Sequence, residues 1–489
     1  MTGPRAISRI RTAGRRLAER AAAFARARRG SIHILFGFSL VPLVGMIGLG
    51  VDYGAAISAK TKLSGAADAA ALAAVVTAKA YIGSNPTQAN VTQNGITAGI
   101  NQATNAFTVN AGSISLTTVS LQTPVLTRTG QTLTSTVAYT ATVQNTFGKI
   151  FRSPTTTFSG TATASADLAS YLDFYLMVDV SGSMGLPATA AGMTQLASQN
   201  NDMWLDYWQG CQFACHFPGF NGWNLAAGKI QLRSDAVNSA VCSLIQRASS
   251  PSVQNQYRVG IYPFINQLAT LAPLTGTMAN LTAAAQCGQA WPLAFTNLLD
   301  TGATQLYTNN DPSTGTGAGG THFEMALPQM KTTIASYGDG TLASKPKPFV
   351  FLITDGMQNS QHFSAPLAMI LGNKYYYPGA PSQFFGYLPA IWDGSQPAQM
   401  DPSQCTALKT AGAIVSVLYI PYNIINFTNN GGGIAWENNR VNGFSPTLAT
   451  PLKACASPGY FYTANTPADI TASLNAMFDQ ALRVARLTQ

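Results

Sequence analysis

Four textures of apolar and polar positions succeed one another along the chain. Residues 31–51, SIHILFGFSLVPLVGMIGLGV, form an apolar run without Asp, Glu, Lys or Arg. At about 1.5 Å of helical rise per residue, such a run spans roughly 30 Å, the thickness of a bilayer's hydrocarbon core. The pattern predicts a membrane helix over 31–52, with Pro42 and several glycines tolerated as they are in lipid. A cleaved signal peptide would carry a shorter apolar core, about 7 to 15 residues. Next comes YGAAISAKTKLSGAADAAALAAVVTAKAYI, alanine-rich and free of proline, which predicts a helix over 53–85 continuing outward from the membrane. Over 86–169 the composition turns to Thr, Ser, Val, Ala and Asn. Within it, SISLTTVSLQTPVLTRTGQTLTSTVAYTATVQNTFGKIF alternates β-branched with small polar residues. Such alternation belongs to half-exposed antiparallel strands and predicts a β-rich stalk without a large core of its own.

The fourth texture begins at residue 170, where apolar residues come in short continuous runs. DFYLMVD, YRVGIYPFI, PFVFLITDG and AIVSVLYIPY read as strands buried on both faces. Between and after them, NLAAGKIQLRSDAVNSAVCSLIQ, HFEMALPQMKTTIASY, CTALKTAG and PADITASLNAMFDQALRVA read as helices. The alternation predicts an α/β domain over 170–489, a doubly wound, mostly parallel sheet covered on both faces. Stretches at about 185–223, 270–315 and 360–400 are expected as insertions. In such sheets ligands bind beyond the carboxyl ends of the strands, and Asp179 and Asp355 each close an apolar run.

Charge changes the picture at one end only. The formal net charge is +9, but residues 1–30 hold nine Arg and one acid, Glu19, which leaves +1 for the remainder. A basic arm over 1–30 ahead of an apolar span stays in the cytoplasm by the positive-inside rule, sending the bulk of the chain across. A nucleic-acid binder would spread its basic residues over a folded face, so no nucleic-acid partner is expected. Six cysteines, Cys211, Cys215, Cys242, Cys287, Cys405 and Cys455, all fall in the exported part. An even count beyond a membrane anchor reads as disulfides in an oxidising compartment. CQFACHFPG has three residues between its thiols where haem attachment has two, so a disulfide there is the better reading; His216 alone makes no metal site. Cys405 with Cys455 is one candidate bridge and Cys242 with Cys287 another, the pairing being left open.

Three separated segments then bring candidate chemistry to strand ends. DVSGSM supplies Asp179, Ser181 and Ser183, GTGAGGTHFEMAL supplies Thr321 at a helix start, and FLITDG supplies Asp355. Two carboxylates and three hydroxyls are hard oxygen donors, which suit Mg²⁺, with Mn²⁺ or Ca²⁺ as competitors. So few carboxylates leave the ion net positive and able to attract an acidic group on a partner. A serine hydrolase built from Ser181 or Ser183 with His322 and Asp355 is the rival. It lacks the Gly-x-Ser-x-Gly spacing and needs one hydroxyl where three are offered, so no enzymatic activity is expected. The aromatic segment NKYYYPGAPSQFFGYLPAIWDG reads equally as a packed loop or as a binding rim.

DVSGSM, Thr321 and Asp355, in that order on alternating β and α elements, resemble the metal-ion-dependent adhesion site (MIDAS) of von Willebrand factor A domains. The resemblance implies Ser181, Ser183 and Thr321 as hydroxyl ligands, Asp179 and Asp355 acting largely through water, and a sixth position for a partner's carboxylate. At the other end, RRGSIHILFGFSLVPLVGMIGLGVDYGAAISAKTKLSGAADAAALAA resembles the start of TadG-like proteins of tight-adherence (Flp) pilus assembly. LKACASPGYFYTANTPADITASLNAMF and CQFACHFPG are similar to members carrying an A domain. This resemblance implies a single-pass bacterial inner-membrane protein, N-terminus cytoplasmic and bulk periplasmic, serving pilus biogenesis or cell adhesion. A prepilin cleavage site after Gly30 would want Glu five residues on, where this chain has Leu35, which argues against processing as a pseudopilin. The expectation is a membrane-anchored binding protein engaging an acidic group on a pilus or envelope component. The alternative is a structural component of the pilus machine whose metal site only stabilises the fold. Asp179→Ala or Asp355→Ala is expected to abolish metal-dependent binding without unfolding the domain.

Overall fold

The computed structural model describes residues 19, 22, 29–201, 210, 212, 221–251, 256–299, 321–359, 363–364, 391–392, 397–425 and 434–487. Cys211, Cys215, His216, most of the basic arm, and most of the aromatic segment at 373–394 lie outside them. The chain divides into two compact units, one of residues Met1–Tyr81, Thr92–Arg128 and Leu133–Ala166, the other of Ile82–Val91, Thr129–Thr132 and Asp167–Gln489.

In the first unit, helix α1 runs unbroken over Arg29–Ser84, so the apolar run and the alanine-rich segment are one element. Its large apolar side chains from Ile34 to Val51 lie exposed, which a soluble core helix would not allow. It is the one helix among the described residues long and apolar enough to cross a membrane. Past Asp52 the character changes. Leu63, Ala66, Ala67, Ala70, Ala71 and Ala74 recur at intervals of three and four and are buried, marking one packed face. Against that face lies a four-stranded sheet of β1 (Thr117–Leu121), β2 (Val125–Thr129), β3 (Thr132–Gln144) and β4 (Thr155–Asp167). Strand β3 buries every second residue, and Val137, Tyr139 and Ala141 join the helix in one core.

One expectation for 86–169 is corrected here. Its first third is not β-rich but a helix, α2, over Val91–Ala111; the module packs into one core with α1. Thr and Asn argue weakly against helix, but small or apolar residues recur every fourth position through Gly95, Gly99, Ala103, Phe107 and Ala111, all buried. Packing of that stripe overrides propensity. At Gly99 a methyl group would lie 2.6 Å from the Ala74 carbonyl oxygen, so only glycine lets α2 approach α1 so closely.

The second unit is a mixed α/β domain. Its sheet strands are β5 (Leu172–Asp179), β6 (Tyr257–Phe264), β7 (Ala272–Thr275), β8 (Lys347–Thr354), β9 (Ile414–Tyr419) and β10 (Phe461–Thr463), in spatial order β10-β9-β8-β5-β6-β7. All neighbours are parallel except β7, which runs antiparallel to β6 at the edge. Strand β7 and the helix Met278–Ala284 fall within 270–315, so that stretch is not wholly an insertion. APLT is short and holds a proline, which fits an edge position and hid the strand. The other helices used below are α3 (Arg233–Ala248), α4 (Phe323–Thr333) and α5 (Pro467–Leu487).

Strand β5 is buried along its whole length because alternate residues serve two cores. Phe174, Leu176 and Val178 pack with Val237, Val241 and Leu244 of α3 and Leu474 and Phe478 of α5. Tyr175 and Met177 pack on the other face with Phe323, Leu327 and Met330 of α4. Among the described residues, each face carries one disulfide. Cys242–Cys287, with Cα atoms 5.5 Å apart, borders the first core, and Cys405–Cys455, at 5.2 Å, lies in the second.

Candidate metal centre

The site sits where the central strands end. Val178 of β5 is in register with Ile353 of β8, so Asp179 and the segment Thr354–Asp355 emerge side by side. Chain direction marks the place. From β5 the chain goes first to β6 on one side and later returns to β8 on the other, so the strand order reverses here, the position at which open α/β sheets bind ligands. Gly356 takes φ of +85°, a left-handed turn that glycine adopts without strain, and its N–H donates to Thr354 Oγ1 at 2.9 Å. That hydroxyl in turn donates to Asp179 Oδ2 at 2.6 Å. On the other oxygen, Asp179 Oδ1 accepts the Ser181 N–H at 3.0 Å, which folds DVSGS back over the strand end.

All five residues named from the sequence lie buried around this point. Ser181 Oγ and Ser183 Oγ are 3.2 Å apart, and Thr321 Oγ1 donates to Ser181 Oγ at 2.9 Å from 140 residues away. Thr321 is held by its carbonyl, which accepts from Asn359 N–H at 3.1 Å, just before α4. Beside the hydroxyls, Asp355 Oδ1 is buried with no hydrogen-bond partner among the described residues. No group of three or more His, Cys, Asp and Glu side chains suited to a metal occurs among the described residues, so any ion here would rely on hydroxyls and two carboxylates. His322, the imidazole of the rival hydrolase reading, has one ring nitrogen engaged by an acid other than Asp355. Its Nδ1 is 2.8 Å from Glu324 Oε1.

Sequence reasoning missed one residue that changes the electrostatics. Arg233, fully buried at the first position of α3, sets Nη1 3.1 Å from Asp355 Oδ2 and donates from Nη2 to the Pro421 carbonyl at 2.6 Å. Its guanidinium also lies over the Tyr422 ring, 5.6 Å from the centroid. The sequence hid it, because the predicted helix over NLAAGKIQLRSDAVNSAVCSLIQ puts Arg233 in its interior, whereas the helix begins at Arg233 itself. With Arg233 counted, the pair of carboxylates leaves about one uncompensated negative charge in a site shielded from water. Burial therefore pushes Asp179 up to about 7, with the charge of Asp355 adding and the Thr354 and Ser181 hydroxyls opposing. Burial pushes Asp355 up too, against the pull of Arg233.

The residues fit a divalent cation on three counts: convergent hydroxyls, a carboxylate oxygen without a partner, and unbalanced negative charge. Ser181, Ser183 and Thr321 would hold the ion, with Asp179 and Asp355 close by. A pH dependence follows. A carboxylate raised in the fold stabilises it below the unfolded value near pH 4 and loses that contribution as pH climbs toward the folded value. Thermal unfolding in chelator is expected to shift to lower temperature from about pH 4 to about pH 7, and Asp179→Asn should flatten the slope. A slope unchanged in Asp179→Asn would contradict the assignment.

Comparison with known proteins adds three findings. Residues 30–78 match the family model described as putative Flp pilus-assembly TadE/G-like, which confines that likeness to the membrane-proximal helix. No curated protein matches the chain. Among solved structures, the vWF domain of the type V pili tip protein Mfa5 from Porphyromonas gingivalis overlaps at 13% identity, covering 65% of this chain and 97% of that one, with a TM-score of 0.32. The PilB minor pilin from Streptococcus sanguinis overlaps at 12% identity, over 76% of this chain and 79% of that one, TM-score 0.31. Proximal thread matrix protein 1 from the mussel byssus, with a zinc-occupied MIDAS motif, does so at 14% identity, over 64% and 48%, TM-score 0.28. The chain thus spans about half the length of the mussel protein. Identities and TM-scores this low leave the site to be judged on its own geometry.

Proposed function

We propose that the chain is a membrane-anchored, non-enzymatic binding protein. Its C-terminal unit engages an acidic group on a pilus or envelope protein through a divalent cation, Mg²⁺ or alternatively Mn²⁺ or Ca²⁺. One observation carries the reading: Thr321, distant in sequence, brings its hydroxyl to 2.9 Å from Ser181 beside the partnerless oxygen of Asp355. A bound cation would supply the positive charge that holds a partner's carboxylate. The protein's own part is to fix three neutral hydroxyls as ligands, so that the ion's charge is not fully quenched. The basic arm supports a cytoplasmic N-terminus in the inner membrane, and two disulfides support an oxidising, periplasmic setting for the bulk. The TadE/G-like match over 30–78 supports a place in pilus assembly.

Arg233 favours a second reading, in which the site only stabilises the fold and the anchor does the work, because a fixed cation already compensates Asp355. Complementation of a deletion strain separates the two. On the binding reading, neither the full chain carrying Ser181→Ala nor a chain ending at Ser170 restores surface pili. Recovery of pili by the truncated chain would establish the structural reading instead.

A further inference from the structure

The turn that joins β3 to β4 carries chemistry the proposed binding function does not use. Its sequence, Phe147-Gly148-Lys149-Ile150-Phe151-Arg152, sets two large apolar side chains between two bases. Ile150 is 75% exposed and Phe151 52% exposed. The turn is not a loose excursion. Gly148–Phe151 forms a turn of 3₁₀ helix, Arg152 closes it at φ of 60°, and the Ser153 N–H returns to the Gly148 carbonyl at 2.9 Å.

What fixes this turn is the helix that crosses the membrane. The Asp52 carboxylate accepts three successive backbone N–H groups, from Thr146 at 2.9 Å, Phe147 at 2.9 Å and Gly148 at 2.7 Å. Charge-assisted bonds to a carboxylate are among the stronger hydrogen bonds available, so the turn is held at one level of α1. Below Asp52, toward the N-terminus, two glycines make room for it. A methyl group at Gly48 would meet the Phe147 ring at 2.5 Å, and one at Gly45 would meet the Phe151 ring at 2.8 Å. Gly45 is seven residues before Asp52, or about 10 Å along the helix. The ring of Phe151 therefore lies beside the apolar stretch Ile34–Val51, well below its charged boundary.

We infer that the turn Phe147–Arg152 is a second membrane contact, inserting Ile150 and Phe151 into the lipid beside α1 at a depth set by Asp52, Gly48 and Gly45. The occupant of this exposed apolar face is a phospholipid surface because the face continues the one α1 already presents to the acyl chains. Lys149 and Arg152 suit the same partner, their stems lying along apolar surface while their heads reach anionic headgroups. Isolated exposed apolar residues are ordinary on soluble surfaces. Two of them fastened beside a membrane helix, flanked by bases, are not.

The test is photocrosslinking of the full chain in vesicles of phosphatidylethanolamine and phosphatidylglycerol. p-Benzoylphenylalanine is placed at position 150, at Leu43 within the span, or at Val125, an exposed apolar residue elsewhere on the same sheet. Mass spectrometry should find phospholipid adducts at 150 in yield close to that at 43 and severalfold above that at 125. Adducts at 43 but none above background at 150 would overturn the inference while leaving the anchor intact. No adduct at 43 would overturn the membrane reading on which it rests. Asp52→Leu should lower the yield at 150 severalfold with no change at 43, and an unchanged yield at 150 would overturn the assignment of Asp52 as the depth-setting contact.

Discussion

Replacing Arg233 with Met is expected to destabilise the C-terminal unit by about 3 to 5 kcal/mol in chelator, the range for removing one partner of a buried ion pair. The loss follows from what the guanidinium touches. Asp355 Oδ2 at 3.1 Å and the Pro421 carbonyl at 2.6 Å would both be left buried without their donor, and two neighbouring carboxylates would lose their fixed counter-charge. Millimolar Mg²⁺ should restore part of the loss, because a divalent ion can replace the missing positive charge. Guanidinium chloride unfolding with and without Mg²⁺ reads both effects. An equal loss under the two conditions would mean that arginine and ion do not share a site. Asp355→Ala is expected to behave differently: it strands the guanidinium, and added cation cannot repair that. Asp355 is therefore the wrong place for a clean test of metal binding, because its removal strands Arg233.

Thr321→Ala provides the cleaner perturbation and the second large effect. In the absence of metal it removes one neutral hydrogen bond, that to Ser181 Oγ, at a cost of about 1 kcal/mol. In the presence of metal it removes a ligand from a site with few alternatives, and affinity for Mn²⁺ is expected to fall by about tenfold or more, equivalent to at least about 1.4 kcal/mol. Titration calorimetry on the full chain measures it, and Thr321→Ser should retain most of the affinity. Ser181→Ala and Ser183→Ala are expected to weaken binding as well, since each supplies one oxygen. A hydrolase would depend on one particular serine. Affinity for Mn²⁺ unchanged by all three substitutions would remove the metal reading.

Much of the C-terminal architecture was legible because its strands are continuous apolar runs ended by an acid or a turn. DFYLMVD and FLITDG announce both a buried strand and the residue at its tip. The convergence of Thr321 with the DVSGS turn was legible only as order along the chain; distance is a property of the sheet's strand order. Three things were hidden. Helix α2 was masked by Thr and Asn, whose weak preferences lose to a buried stripe every fourth residue. Strand β7 was too short and too edge-like to stand out. Arg233 sat among ordinary helix residues, and a pattern search for oxygen donors has no reason to notice a cation. Yet that cation decides how much charge the site must still find elsewhere.

Anomalous diffraction from crystals of the protein soaked in Mn²⁺ tests the central claim most directly. The account predicts one strong peak within bonding distance of Ser181 Oγ, Ser183 Oγ and Thr321 Oγ1, with Arg233 still paired to Asp355. Crystals that show manganese only at other surfaces, with these three hydroxyls bonded to one another as before, would contradict it.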